Sequence, residues 1–199
     1  ALTSVVGTAS APLLLKQEPG VSVVGRAIVN QDEAVFLQSD GVVLWQRNGK
    51  LERFSLGDQA RGAILLLSDE RTSEVVILLA SGKTLALELT TGKLRTISED
   101  QNGVATVAVV SGGKLVIGFR DGKYQLWDMR GPSRILTGDT SVLLQNIEFS
   151  PSGEQFSISL GDGRVLVCDS QTGVTLQTLR GHSSRVWRAS FSRDGRFVV

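Results

Sequence analysis

A repeat of about 41 residues constrains this chain more than any other feature. Four times a glycine opens a short hydrophobic run: Gly41 in "SDGVVLW", Gly82 in "SGKTLAL", Gly122 in "RDGKYQLW" and Gly163 in "GDGRVLVC", at intervals of 41, 40 and 41. Inside each run a bulky apolar residue precedes a polar one: Trp45-Gln46, Leu87-Glu88, Trp127-Asp128 and Cys168-Asp169. A second glycine follows each time, at Gly49, Gly92, Gly131 and Gly173. Three features that keep step through four copies mark one structural unit used repeatedly, and the fold follows from how such units stack.

Each copy reads as strands. Segments such as "EQFSISL" and "VLVC" are short, rich in β-branched or aromatic residues, and bounded by Gly, Asp or Ser. The Asp-Gly pairs at 40–41, 121–122 and 162–163 are hairpin signals and predict type I′ turns, with both central residues at positive φ. One unit is then four antiparallel strands, a to d, with the Asp-Gly turn between b and c and the second glycine between c and d. Such a unit cannot bury both its faces alone, whereas stacking units radially about an axis covers them and leaves only short edges. The expected fold class is all-β, a β-propeller of four-stranded antiparallel blades. Four complete units fall at about 21–58, 59–100, 101–139 and 140–181, with partial blade strands at both ends, 1–20 and 182–199. Residues 1–199 together read as a single propeller or propeller segment. A sandwich has no need of so even a period.

The stretches "LRGHSSRVWRASFSRDGRFVV", "FSPSGEQFSISLGDGRVLVCDSQTG" and "GGKLVIGFRDGKYQLWD" resemble WD repeats, closely from about Gly103 to Val199 and more faintly, in phase, from Val21 to Asp100. "LELTTGKLRTI" is also similar to quinoprotein-type propeller repeats. The resemblance implies a hydrogen-bonded set in each blade: a His before strand a, a hydroxyl in b, an Asp at the b–c turn and a Trp in c. No copy carries the whole set. The third has Asp121 and Trp127, but Ile117 stands in the hydroxyl slot; the fourth has Asp162, with Cys168 and Ile158 in the Trp and hydroxyl slots. His182 belongs to a copy whose other members would lie past Val199. A half-satisfied polar network is worse than none, so stability is expected to rest on aliphatic packing between sheets. The chain is expected to be an excerpt of a longer one.

Composition narrows the function. Of 199 residues, 41% are hydrophobic and 21% charged, and the net charge of +1 gives no overall field for nucleic acid or an acidic membrane. The longest apolar runs, "AILLL" and "EVVILLA", are far shorter than the ~20 residues of a spanning helix. One cysteine is compatible with a reducing compartment, and the expected location is cytoplasmic. A lone His and a lone Cys in different parts of the repeat do not supply the clustered ligands of a zinc site, so neither metal nor cofactor is expected. Cys168, in a strand slot, reads as a small buried hydrophobe. His182, at the Gly-His position, reads as structural.

Asp40, Asp121 and Asp162 fall at b–c turns and would share one rim, where turn chemistry already demands them. The one local charge excess is Arg180, Arg185, Arg188, Arg193 and Arg196, offset by Asp194. Alternation along strand a puts Trp187, Ala189 and Phe191 on one face and Arg188 on the other. The first three arginines lie toward the d–a rim and the last two toward the opposite one, a split that argues against a nucleic-acid groove.

The expected function is a non-catalytic interaction scaffold that presents loops on a rigid ring to proteins or peptides, acidic ones included. Its expected contact residues are Arg180, His182, Ser184, Arg185 and Arg188, joined by Asp40, Asp121 and Lys123. The structural repeat positions are Trp45, Leu87, Trp127, Asp128, Asp162, Cys168, Asp169 and His182. Two alternatives remain open: a propeller enzyme or small-ligand sensor with a site in the central channel, and a regulatory sensor module of a larger signalling protein.

Overall fold

A computed structural model describes residues 4–6, 13–15, 19–69, 72–99, 103–131 and 133–199. The rest of the expected partial blade over 1–20 lies outside the described residues. The first two strands, β1 (Ser4–Val6) and β2 (Leu13–Leu15), pair antiparallel. Sixteen more strands form four sheets of four. The first holds β3 (Val23–Asn30), β4 (Glu33–Gln38), β5 (Val42–Arg47) and β6 (Lys50–Ser55); the second β7 (Ala63–Ser68), β8 (Glu74–Leu79), β9 (Thr84–Glu88) and β10 (Lys93–Ser98). The third holds β11 (Ala105–Ser111), β12 (Lys114–Phe119), β13 (Lys123–Asp128) and β14 (Ser133–Asp139); the fourth β15 (Leu144–Phe149), β16 (Gln155–Leu160), β17 (Val165–Asp169) and β18 (Thr175–Leu179). Within every sheet the strands neighbour one another in chain order, a four-strand meander of propeller-blade type. The four complete units read from the repeat are these sheets. The one helical element among the described residues is a 3-10 turn, Gly57–Ala60.

Burial explains why β4, β8 and β12 carry apolar residues at both parities, while β16 keeps two buried serines, Ser157 and Ser159, at one. In β4, β8 and β16 all residues after the first are buried, and in β12 all six are. A strand covered on both faces needs apolar side chains at both parities. The outer strands β6 and β18 are mostly exposed.

By internal contacts the chain divides into two compact units, Ala1–Ala80 with Thr84–Arg95, and Ser81–Lys83 with Thr96–Val199. In the first unit Val35, Leu37, Val43 and Trp45 of one sheet share a core with Leu66, Val75, Ile77, Leu85 and Leu87 of the next. Their inner strands meet closely: the Ser68 hydroxyl donates to the Ile28 carbonyl at 2.6 Å. In the second unit Val116, Tyr124 and Leu126 pack with Phe156, Ile158, Leu160 and Cys168. The Phe156 ring meets Tyr124 and Phe149 edge-on, with centroids 6.3 and 5.9 Å away.

The b–c turns differ from the type I′ expectation. Only the glycine of each Asp-Gly pair takes positive φ, 79° at Gly41 and 91° at Gly122 and Gly163. Its N–H donates to the carbonyl three residues back, Gln38, Phe119 or Leu160, at 3.0, 3.2 and 3.4 Å. The aspartate is therefore the last central residue of an ordinary turn, and a left-handed glycine rejoins the strand. Each carboxylate then accepts the N–H two residues on: Val42 at 3.1 Å, Lys123 at 3.1 Å and Arg164 at 3.2 Å. In the second sheet Ser81 does the same for Lys83 at 3.3 Å.

These glycines also let backbone touch backbone. A Cβ on Gly163 would collide with the His182 carbonyl oxygen and stand 3.0 Å from that of Ser184; one on Gly122 would stand 2.9 Å from Val142. Gly163→Ala is expected to destabilise the second unit by about 2–3 kcal/mol in urea unfolding, since collision adds to the φ penalty. Gly195→Ala, also at positive φ but with its nearest neighbour 3.9 Å away, should lose only about 1 kcal/mol.

Candidate functional site: the 180–188 segment and its rim

Residues 180–188 leave β18 and cross the b–c turn of the same sheet. They are held there through the backbone, by the Gly163 approach and by the Val186 N–H donating to the Leu160 carbonyl at 3.0 Å. Val186 and Ala189 turn inward and cluster with Val165, with Leu179 and Val198 against them. Arg180, His182, Ser184, Arg185 and Arg188 are all exposed. Arg180, His182 and Arg188 line a groove of about 320 Å³ whose floor includes Val165, Leu179 and Val198.

The expected alternation along this segment does not hold. Trp187 is 68% exposed and Ala189 is buried. The buried positions, 186 and 189, are three apart because 185–190 is not a regular strand. The expected a and b strands are reduced to one bridge, Phe191 with Val198, and the Ser190 and Val199 backbone pairs at 2.8 and 2.9 Å. Freed from the ladder, the Trp187 indole lies on the surface with the Arg185 guanidinium over it, 4.7 Å from the ring centre. Arg188 turns away to Glu148, at 3.1 and 3.0 Å, an acceptor shared with the Ser190 hydroxyl. Arg180 and Arg185 have no ion-pair partner among the described residues.

The other expected contact residues are only partly gathered. The Asp162–Gly163 turn abuts 182–184, whereas the Asp121–Gly122 turn abuts Val142. Asp40 belongs to the other compact unit. Lys123 bonds Asp121 at 2.7 Å and Arg164 bonds Asp162 at 2.6 Å. The Lys123 ammonium holds Asp121 below the usual carboxylate range. At Asp162 burial pushes upward, and the Arg164 hydrogen bonds outweigh it. Arg193 lines a different cavity, with Ser150, Glu154 and Asp194. Among the described residues no group of three or more His, Cys, Asp or Glu is placed to hold a metal ion.

The repeat positions Trp45, Leu87, Trp127 and Cys168 are all buried. Their polar atoms are satisfied in ways the sequence reading did not find. The Trp127 indole donates to the Gln125 side chain at 3.0 Å, and that of Trp45 to Glu33 at 3.1 Å. The Cys168 thiol lies 3.7 Å from the Thr175 hydroxyl, and burial pushes its pKa up. Asp169 is turned back on its own c–d loop, accepting from Gln171 and Thr172.

A second periodic set also went unread: Glu33, Glu74, Lys114 and Gln155 open the b strands and face Arg47, Glu88, Asp128 and Asp169 across the ladder. Glu33 pairs with Arg47 at 3.1 Å, Glu74 with Arg95 at 2.7 Å and Lys114 with Asp128 at 3.1 Å. Their spacing of 41, 40 and 41 was available as the signal.

The WD domain, G-beta repeat family model matches residues 173–199, from the c–d turn through the exposed segment. A stretch of 70 residues, 35% of the chain, is 33% identical to the diphthine methyltransferase of Schizosaccharomyces pombe (strain 972 / ATCC 24843) and covers 21% of that protein. The match at 173–199 and the four antiparallel four-stranded sheets are together consistent with a WD-repeat propeller.

Asp128 is the polar centre on which the third sheet's rim depends. The Arg130 side chain, and after it Lys114, hold its carboxyl well below the ordinary value of 3.8. A folded-state pKa below the unfolded one adds stability above about 3.8 that is lost as pH falls toward the folded value. Asp128→Asn is expected to cost about 1–3 kcal/mol at neutral pH, because it strands the buried Lys114 ammonium. It should also flatten the acid limb of the stability curve, as read by denaturant midpoints between pH 6 and 2.

Proposed function

We propose that this WD-repeat chain is a non-catalytic docking platform that binds protein or peptide partners through the 180–188 segment, and that it works in the cytoplasm. The observation that carries this reading is the exposed Trp187 indole with the Arg185 guanidinium over it, on the same segment as Arg180 and the apolar groove that Arg180 lines. Trp and Arg are the residues that most often dominate binding energy at protein interfaces. Here both are spared from core packing, and the Arg180 and Arg185 guanidiniums have no carboxylate partner among the described residues. That chemistry favours a partner with carboxylates near an apolar or aromatic side chain. The buried, solitary Cys168 is compatible with a reducing compartment.

A second reading, an enzyme built on the same frame, draws support from the 70-residue likeness to a diphthine methyltransferase. The two readings separate in one set of measurements. A random peptide library panned on the purified chain is expected to enrich Asp/Glu-rich sequences carrying an aromatic residue. Arg185→Glu and Trp187→Ala should each weaken the selected peptides by about tenfold or more. Failure to enrich acidic sequences, or binding by both variants as tight as by the unsubstituted chain, overturns the docking reading. Turnover of a diphthine-bearing substrate that neither substitution affects would favour the enzyme instead.

A further inference from the structure

The exposed segment also carries a feature that docking alone does not use. An arginine three residues before a serine or threonine is an attractive target for a protein kinase whose substrate groove carries carboxylates, because the guanidinium pairs with them in bidentate fashion. Among the described residues the chain offers this spacing four times: Arg95/Ser98, Arg130/Ser133, Arg134/Thr137 and Arg180/Ser183.

The fold separates these four. Ser98 is 2% exposed and ends β10. Ser133 and Thr137 lie in β14, in register with Asp128 and Gln125 of the neighbouring strand. A hydroxyl in a ladder cannot enter a kinase cleft unless the strand leaves the sheet. Ser183 is different: it is exposed, lies outside any strand, and has no hydrogen-bond partner for its hydroxyl among the described residues. The segment around it is held by the Gly163 approach to the His182 and Ser184 carbonyls. Its side chain is therefore free to change without disturbing that contact.

We propose that Ser183 is a phosphorylation site for an Arg-directed kinase, and that its phosphate closes the docking surface. In the transfer, the Ser183 Oγ forms a bond to the γ-phosphorus of a nucleoside triphosphate. The bond to the bridging oxygen breaks, the diphosphate leaves, and the hydroxyl proton passes to the kinase's carboxylate base. The product carries about −1.5 to −2 charges at pH 7 between Arg180 and Arg185 in the chain, two guanidiniums with no ion-pair partner among the described residues. They become the phosphate's own partners and are withdrawn from an acidic ligand. The closing effect rests on the docking reading above; the modification itself does not.

The test has two separable readouts. The full chain, folded, is incubated with ATP and a purified kinase that requires arginine at that position, and phosphate is mapped by mass spectrometry. Incorporation at Ser183 is expected, abolished in Ser183→Ala and reduced about tenfold or more in Arg180→Ala. Phosphate found only at other sites, or only after denaturation, overturns the site. The phosphorylated chain is then titrated with an Asp/Glu-rich peptide selected on the unmodified chain, and affinity should drop about tenfold or more. Unchanged affinity with Ser183 fully modified overturns the switch, and absence of peptide binding before modification overturns the docking reading while the site stands.

Discussion

A sheet of four short strands has two apolar faces and no means of covering either. Everything else in this chain follows from how that is resolved. Within each compact unit one sheet's face is laid on the next, so Val35, Leu37, Val43 and Trp45 find Ile77 and Leu87, and Tyr124 and Leu126 find Phe156 and Ile158. The cost falls on polar groups, since any that enters such an interface must bring its own partner. The structure meets much of that cost locally, although the Ser159 hydroxyl and the Gln46 side-chain oxygen are buried without a partner among the described residues. The Trp127 indole is answered by Gln125, two residues away on its own strand, and the Ser157 hydroxyl reaches the Glu148 carbonyl at 3.4 Å.

This is a different solution from the hydrogen-bonded set that the family resemblance implies. That set spans strand a to strand c and works only when all members are present. Here Ile117 and Ile158 occupy the hydroxyl slots and are fully buried, so no hydroxyl stands at those positions to join such a set. The charged pairing has moved to the end of the sheet where the b strands begin, where Glu33–Arg47, Glu74–Arg95 and Lys114–Asp128 sit at the boundary with solvent. A pair placed there pays a smaller desolvation penalty than one in the sheet centre. Aliphatic faces with ionic ends are an internally consistent alternative to a polar clasp.

The parts legible in the sequence are those with a period. The glycine and Trp-slot intervals located four sheets, and the strands follow from residue type. Turn geometry was not legible, because Asp-Gly suits both a type I′ turn and an ordinary turn closed by a left-handed glycine. The choice depends on the Gly41, Gly122 and Gly163 backbones meeting the next connection, a tertiary contact. The facing of Trp187 was misread for a related reason. Two-residue alternation holds only inside a ladder, and 185–190 makes no continuous ladder. The rim pairs were periodic and still passed unnoticed, since Glu, Glu, Lys and Gln share a position without sharing a charge.

That last contrast bears on how such a frame can carry different partners. Where the segment 180–188 is fastened, it is fastened by main-chain atoms and two small inward residues: the carbonyls of His182 and Ser184, the Val186 N–H, and the Val186 and Ala189 side chains. None of Arg180, Ser183, Arg185 or Trp187 contributes a side chain to that fastening. Selection for stability therefore fixes the path of the segment, while leaving its outward chemistry open. On the docking reading this is the useful property of the frame. A surface whose position is set by backbone contacts can change charge, aromatic content or modification state without giving up the geometry in which those groups are presented.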